Sequence, residues 1–474
     1  VCMQLVKLIT PKIIKALRGS KWSFVVLFLT AANPAFAQDN SPYSRYGIGD
    51  LVPGTNIVNR SMGGVTAGYF DQLSINFNNP ASYSAFQAIR EKKAKKLSSG
   101  RAILDLGLNF ENRTLREPDN ATKFTASNAL FSYVQIGVPL KQNWGLSFGI
   151  RPVSRISYKI LATERLKDPF TGLPIDSAAT LYSGDGGSYL ISAGTGFSVY
   201  KKEKYGQVEN LSIGCNGGYM AGKEDHRTRR IFLNDSVTYY KANYETRTNY
   251  GSLYYNAGFQ YKLPLSKTMQ ITIGAFGNFS QKLKGKQDRL RETFIYDDNA
   301  GNVRLDSVSD ARDIKGNVEL PSSITLGFVL QKFAIQNKEG GWMLGMDFAT
   351  QKWSDYRFYG QADSLRNKWE FRTGLQLNPV PRRNYFSNVA YRFGVFFGPD
   401  YVKVGQKLPT IGASFGLGLP MAISRQAPNQ ATFINLAFEY IKRGNDKNLV
   451  QENLFRFSLG FSLSDIWFIK RKYE

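Results

Sequence analysis

The feature that most constrains this chain is a two-residue alternation of apolar side chains with small or polar ones. In the segment that begins near residue 143, Trp144, Leu146 and Phe148 share one parity, and glycine, serine and arginine occupy the other. A period of two indicates a β-strand with one apolar face. Candidate strands begin near residues 102, 128, 143, 187, 208, 249, 268, 318, 340, 366, 388, 409, 431 and 451. This even count of about fourteen is typical of a single-chain membrane barrel.

Several features favour a transmembrane barrel over a soluble sandwich or propeller, whose strands also alternate. The apolar parity is rich in Phe, Tyr and Trp, which form the interfacial girdles of outer-membrane barrels. The opposite parity carries charges in mid-strand, which a wet lumen can hold but a sandwich core cannot bury unpaired. They are Arg151, Asp347, Glu370, Arg372, Glu439 and Arg456. We therefore predict an all-β fold, an antiparallel transmembrane barrel of about fourteen strands over residues 101–474, ending in a basic tail.

Connections between the candidate strands alternate in length. Long ones lie near 111–127, 159–186, 223–248 and 284–317, and short ones lie near 140–142, 201–207, 263–267 and 333–339. Outer-membrane barrels have long loops outside and short periplasmic turns. The long connections are polar and rich in turn residues.

Residues 1–37 have the composition of an export signal. Five basic residues between Lys7 and Lys21 precede the apolar run Trp22–Thr30, and the small-x-small pattern at residues 35–37 follows. This order is typical of a secretory signal peptide. The alternative, an anchoring helix, is disfavoured because the apolar run is too short to span a bilayer. The expected location is the outer membrane of a Gram-negative bacterium.

Residues 38–100 do not alternate. They are rich in Gly, Pro, Asn and Ser, which favour tight turns, yet they include apolar residues such as Ile48, Met62 and Phe77 that can pack together. We predict an N-terminal hatch that plugs the barrel lumen. The alternative is a periplasmic linker, which would be poorer in aromatic residues and richer in charge.

The stretch from Arg60 to Ala81 resembles the hatch of FadL-type outer-membrane transporters of hydrophobic compounds. The matching positions form a glycine-rich turn after a basic residue and an Asn-Pro-Ala motif. They are Arg60, Ser61, Gly63, Gly64, Asn79, Pro80 and Ala81. The stretch from Phe455 to Tyr473 also looks like Bacteroidetes-type members of this group. The resemblance implies a monomeric, porin-like, fourteen-stranded barrel that passes fatty-acid-like molecules passively through a gap in its wall, with the matching positions along the ligand path.

Lateral exit has a physical reason, because burial of each CH₂ is worth about 0.8 kcal/mol and an apolar molecule keeps that gain in lipid. A kinked strand or a glycine bulge could open the wall. Candidate positions lie in the third and fifth strands: Gly145, Gly149, Pro152, Gly214, Gly217 and Gly218. An inward glycine has a simpler role too, which is to make room for the hatch.

The sequence predicts no catalytic residue, metal site or cofactor, and the chain is not expected to be an enzyme. One histidine, His226, and two cysteines, Cys2 and Cys215, provide too few groups for nucleophilic catalysis or a metal cluster. The formal net charge of +24 is dispersed, apart from a lysine cluster at 92–96 and the tail. For an exported barrel, we expect this charge to face outer-membrane lipid and lipopolysaccharide rather than nucleic acid.

Two functions remain open at this point. The first is passive transport of hydrophobic small molecules, which requires a continuous apolar path from the outer loops to a wall gap. The second is a non-transporting structural or adaptor barrel, such as a subunit or shuttle of an outer-membrane secretion assembly, which requires a sealed lumen and a docking surface. Either barrel is expected to need the barrel-assembly machinery during biogenesis.

Overall fold

The structure is a computed structural model that describes residues 41–89, 99–118, 122–233, 240–297, 301–421 and 430–467. The predicted signal peptide, the lysine cluster at 92–96 and the basic tail after Trp467 lie outside these residues. No helix in these described ranges is long and apolar enough to cross a membrane.

Fourteen antiparallel strands form one closed sheet, because the last strand pairs with the first. The strands are β1 (Ser99–Arg116), β2 (Lys123–Lys141), β3 (Trp144–Lys167), β4 (Pro174–Lys204), β5 (Gln207–Phe232), β6 (Lys241–Pro264), β7 (Met269–Asn278 and Gln281–Asp297), β8 (Gly301–Leu320 and Ser323–Lys332), β9 (Gly341–Gln351), β10 (Lys368–Asn378), β11 (Ala390–Pro399), β12 (Pro409–Pro420), β13 (Ala431–Arg443) and β14 (Gln451–Trp467). β7 and β8 are each interrupted for two residues at neighbouring positions. The predicted fourteen-stranded barrel is confirmed.

The wall has two unequal sides. Strands β9 to β13 have 10 to 13 residues each, close to the 9–11 residues that cross a bilayer. Strands β3 to β6 have 24 to 31 residues, so they continue well beyond the membrane. The regions predicted as long loops near 159–186, 223–248 and 284–317 are therefore mostly strand, and His226 lies in β5 rather than in a loop.

Alternation along the strands places apolar side chains outside and polar ones inside. On β14, the side chain of Phe455 is exposed, whereas Arg456 and Ser458 are buried. Phe457 packs against the rings of Phe110 and Phe438 on the neighbouring strands. These outward rings form part of an aromatic band of the kind that marks a membrane interface.

Residues 41–89 contact the inner faces of strands on both sides of the wall. Their regular elements are short: the helix α1 (Ile57–Arg60), two 3₁₀ turns (Pro42–Arg45 and Pro80–Ala85) and two-residue strands at Asp50–Leu51 and Ala88–Ile89. Helix α1 packs against β12, β13 and β14, whereas the second 3₁₀ turn packs against β3 to β6. The segment therefore lies within the barrel.

Candidate functional site: the packed lumen

Arg60 is the most heavily bonded residue of the predicted hatch motif. It ends helix α1, is 2% exposed, and donates hydrogen bonds to Asn109 of β1 at 2.6 Å and to Ser132 of β2 at 3.1 Å. Its guanidinium also donates to the carbonyl oxygen of Thr55 at 2.9 Å, and its Nε lies 4.0 Å from a carboxylate oxygen of Glu439. Arg60 therefore ties the inner segment to several strands of the wall.

The glycine turn after Arg60 lies directly against the short side of the wall. Ser61 is fully buried. Gly63 has φ +67°, and a Cβ there would lie 2.7 Å from the carbonyl oxygen of Thr373 on β10, so glycine suits both the conformation and the space. Gly64 (φ +87°) accepts a hydrogen bond from Arg372 at 3.3 Å. These residues allow the backbone of the turn to approach the strands closely.

The Asn-Pro-Ala motif lies against the tall side. Asn79 caps the 3₁₀ turn Pro80–Ala85, since its Oδ1 accepts a hydrogen bond from the backbone N–H of Ala81 at 3.2 Å. Its amide also donates to the carbonyl oxygen of Phe259 on β6 at 3.1 Å. Both Asn79 and Ala81 are fully buried. The motif anchors the inner segment, and its polar atoms are occupied by protein groups.

The glycines singled out by sequence fall into three environments. A Cβ at Gly145 of β3 would clash with the carbonyl oxygen of Tyr83, and one at Gly214 of β5 would lie 2.5 Å from the carbonyl carbon of Pro80. Gly217 faces outward, where a Cβ would meet nothing within 4 Å. Gly149 of β3 and Gly218 of β5 lie against backbone oxygens of neighbouring strands. The space left by Gly145 and Gly214 is thus filled by the inner segment.

A cluster of five charged residues joins the inner segment to the outer half of the wall. Arg113 of β1 donates to Asp50 at 2.6 Å and to Glu452 of β14 at 2.9 Å. Arg443 of β13 contacts Asp50 at 3.0 Å, Asp400 at 2.9 Å and Glu452 at 3.2 Å. Two cations thus share three carboxylates, an arrangement that balances the cost of burying each charge.

A second cluster explains some of the mid-strand charges predicted to face a wet lumen. Arg456 donates to Glu111 of β1 at 2.6 Å and to Glu439 of β13 at 3.1 Å, and the three side chains are at most 7% exposed. Asp347 of β9 is 1% exposed and accepts hydrogen bonds from the backbone N–H groups of Thr66 and Ala67. These charges do face inward, as expected, but they are paired within packed protein.

The outer mouth of the barrel is closed by an apolar core. The connections after β9 and β11 contribute Trp353, Tyr356 and Tyr401, and the inner segment contributes Tyr43 and Ile48, all at most 5% exposed. The rings of Trp353 and Tyr401 are 4.5 Å apart between centroids. The Tyr401 hydroxyl donates to the carbonyl oxygens of Tyr46 and Gly49. These packed side chains thus fill the lumen at this level.

Below this core lies a cavity of about 380 Å³ between the inner segment and the wall. Apolar side chains such as Val153, Met220 and Tyr254 line part of it. Charged side chains of both clusters line the rest, including Arg60, Arg113, Glu439, Arg443 and Arg456. The cavity is therefore amphipathic rather than a continuous apolar path.

The backbone pairing of the wall is broken between β2 and β3. These strands pair from Lys141 and Trp144 to Val134 and Ile150, and no pairing between them continues beyond that point in the part of the chain that the structure describes. Pro152 follows at once, with a register shift against β4 between Pro152 and Ser154. In contrast, residues 214–218 of β5 pair with both neighbouring strands.

Sequence reasoning missed the five-residue cluster around Asp50. Its members lie on five separate stretches, and a pattern of alternation carries no information about which inward charges meet. Asp50 itself lies in a turn-rich region with no period. The available signal was that acids and bases both occupy inward positions of β1, β13 and β14.

The model of the BamG family matches residues 19–474. The chain belongs to the BamG family. A search of curated proteins finds no match. Among solved structures, a FadL homologue of Pseudomonas aeruginosa is similar at a TM-score of 0.52 and 12% identity, covering 89% of this chain and 100% of that one. The Pseudomonas putida toluene transporter TodX has a TM-score of 0.48 and 14% identity, covering 88% and 99%. The monoaromatic hydrocarbon channel CymD has 0.48 and 14%, covering 87% and 98%.

The likeness to the FadL homologue confirms the predicted resemblance to FadL-type barrels at the level of fold. That fold is the fold of an outer-membrane β-barrel. CymD is described as a channel and TodX as a transporter. At identities of 12 to 14%, these similarities do not show which ligand, if any, this chain binds.

Proposed function

We propose that this BamG-family barrel is a structural or adaptor subunit of an outer-membrane secretion assembly rather than an open channel. The observation that carries the proposal is the packed lumen, whose outer mouth is closed by Trp353, Tyr356 and Tyr401 together with the inner segment. Below that core, the charged residues form ion pairs with each other and with the inner segment. A barrel whose lumen is filled in this way is suited to bind partner proteins through its outer surfaces.

The energetics of an apolar ligand support this choice. Such a ligand gains about 0.8 kcal/mol for each CH₂ that it buries in an apolar site. In the cavity of this barrel it would contact charged side chains such as Arg60, Arg443 and Arg456 as well as apolar ones, and it could not hydrogen-bond to the charged groups. The gain from burial in this cavity is therefore smaller than in a wholly apolar site.

We further propose the domain organisation on which this function depends. Residues 1–37 direct export, residues 38–100 form the hatch, and residues 101–474 form the barrel and its tail, with the outer membrane of a Gram-negative bacterium as the location. The hydrogen bonds of Arg60 and Asn79 to the wall support the assignment of the hatch. Lipopolysaccharide around the barrel and the barrel-assembly machinery during biogenesis are the expected partners.

A second candidate function is passive uptake of hydrophobic, fatty-acid-like molecules that leave sideways through the wall. The break between β2 and β3 favours it, since Gly149 and Pro152 flank the point where pairing stops. Arg151 and Val153, just beyond that point, line the cavity. The hydrocarbon channels of similar fold lend it further support.

One experiment separates the two functions. The protein is extracted from native membranes in mild detergent, purified by an affinity tag, and also reconstituted into liposomes for uptake of radiolabelled toluene or decanoate. We expect partner polypeptides to co-purify in fixed proportion and uptake to equal that of protein-free liposomes.

A matched variant, Tyr401→Ala, widens the outer mouth. An adaptor gains no uptake from this change, because the ion clusters still fill the lumen. A protein that purifies alone and transports either ligand, faster still with Tyr401→Ala, would require the transporter assignment instead.

A further inference from the structure

The break in the wall leaves two strand edges with different surroundings. The edge of β3 is occupied by the chain itself: Asp50 and Leu51 pair with Arg155 and Ser154. The backbone N–H of Val52 donates to the carbonyl oxygen of Val153 at 3.0 Å. Residue 41 continues the contact one step further out, since its N–H donates to the carbonyl oxygen of residue 157 at 3.1 Å.

The edge of β2 has no such cover. Residues 123–133 pair with β1 on one side, and no described strand pairs with them on the other. An extended edge of this kind is a template for an added strand. The inner segment already shows that strand addition occurs at this break, because it adds to β3.

The break starts within the membrane. Phe131 of β2 and Phe110 of β1 are both 36% exposed, and Phe110 packs against Phe457 in the outward aromatic band. Residues 131–133 of the open edge therefore lie at or below the level of that band. Unpaired backbone groups at this depth must be satisfied by protein, because lipid offers no hydrogen bonds.

We infer that the open edge of β2, residues 124–133, binds an extended β-strand of a partner polypeptide that is acidic at its outer end. This inference rests on the proposed adaptor function. Phe131 faces outward, and Leu130 and Asn128 face the lumen side, so an added strand continues the wall only if its apolar side chains alternate outward.

The acidic end of the partner strand is inferred from the positive charges at the outer end of the break. Lys123 of β2 and Arg165 and Lys167 of β3 are all exposed there. The nearest acid on β3, Glu164, is paired with Arg230 of β5. Opposite charges on neighbouring strands stabilise pairing, whereas like charges oppose it.

Hydrogen exchange on the full-length protein in detergent micelles tests the inference. The probes are a ten-residue peptide of alternating Leu and Thr that carries three Asp at one end, and the same peptide with three Lys. Without peptide, we expect amides of residues 124–133 to exchange at least about tenfold faster than those of 134–137, which are paired on both sides. The acidic peptide is expected to slow exchange in 124–133 alone, and the basic peptide to leave it unchanged.

Charge reversal provides the matched control. The double variant Lys123→Glu with Arg165→Glu is expected to reverse the preference between the two peptides. Lys284→Glu with Lys315→Glu changes the net charge equally on β7 and β8 and is expected to keep the original preference.

The inference is overturned if residues 124–133 are as protected as 134–137 without peptide, or if both peptides act alike. It is also overturned if a peptide copying residues 124–133 protects best, since the occupant is then a second copy. If toluene slows exchange in residues 124–133 and the peptides do not, an apolar molecule binds at this edge instead of a strand. Co-purification of partners is measured separately from hydrogen exchange. If the exchange test fails while partner polypeptides still co-purify, the partners bind at another surface and the proposed adaptor function is retained.

Discussion

The two sides of this barrel differ in what their strands do beyond crossing the membrane. Strands β9 to β13 are little longer than a bilayer crossing needs, and each pairs along its length with its neighbours. On the tall side, β3 separates from β2 after Ile150, its seventh residue, takes the inner segment as its partner, and continues upward with β4. The comparison teaches that both sides hold the inner segment, whereas the tall side also carries the break in pairing and the outer surface.

The largest expected effect comes from removing the residue that connects the two sides. Arg443 lies on the short side, and it holds Asp50, whose neighbour Leu51 pairs with β3. Arg443→Met removes the ion-pair partner of Asp400 and leaves the partly exposed Asp50 and the buried Glu452 with Arg113, so we expect a loss of about 3–5 kcal/mol in the free energy of unfolding. Urea unfolding in detergent, followed by tryptophan fluorescence, measures it.

The same variant should also loosen the edge of β3, because Asp50 loses its anchor. Faster exchange at residues 153–157 than in the parent protein is the expected sign. Lys442→Met removes the exposed neighbouring charge and serves as the control. Equal unfolding curves for the two variants would mean that the cluster does not hold the segment.

A smaller effect is expected where the inner segment meets the tall side. Gly214→Val directs a branched side chain into the backbone of Pro80, so we expect a loss of about 1–3 kcal/mol from overpacking. Gly217→Val, three residues away on the same strand, points into open space and should unfold like the parent. If Gly217→Val is the more damaging of the two, the outward surface at that point is occupied.

The smallest effect is expected from the aromatic band on the short side. The ring of Trp369 lies 6.4 Å from that of Phe348 and 6.0 Å from that of Phe397. Trp369→Ala should lower the free energy of unfolding by about 1 kcal/mol, as expected for the loss of aromatic pairs. Tyr240→Ala, at the exposed top of the tall side, is the control and should have no measurable effect on the free energy of unfolding. Urea titrations in lipid nanodiscs compare the Trp369→Ala and Tyr240→Ala variants.

The regular part of this fold could be predicted from sequence. Strands β12, β13 and β14 begin at residues 409, 431 and 451, as the alternation indicates. Alternation locates them because each has lipid on one face and packed lumen on the other. The same rule failed at 159–186, where β3 and β4 rise above the membrane and no longer separate an apolar face from a polar one.

The site was predictable only in part. The turn after Arg60 and the Asn-Pro-Ala motif were found through their resemblance to the hatch of FadL-type transporters, whereas the density of glycine, proline and asparagine indicated only tight turns. The partners of Arg60 on β1, β2 and β14 were not, since they depend on how distant strands align. The break between β2 and β3 depends on a register that no local pattern encodes.

The ion cluster around Asp50 also has a consequence for the order of assembly. Asp50 lies near the start of the described chain, but Arg443 and Glu452 belong to the last two strands. A nascent barrel that still lacks β13 and β14 holds Asp50 only through Arg113 of β1 and the pairing with β3. The cover over β3 therefore gains its second cation, Arg443, when the final hairpin arrives, so that completion of the chain and closure of the wall coincide.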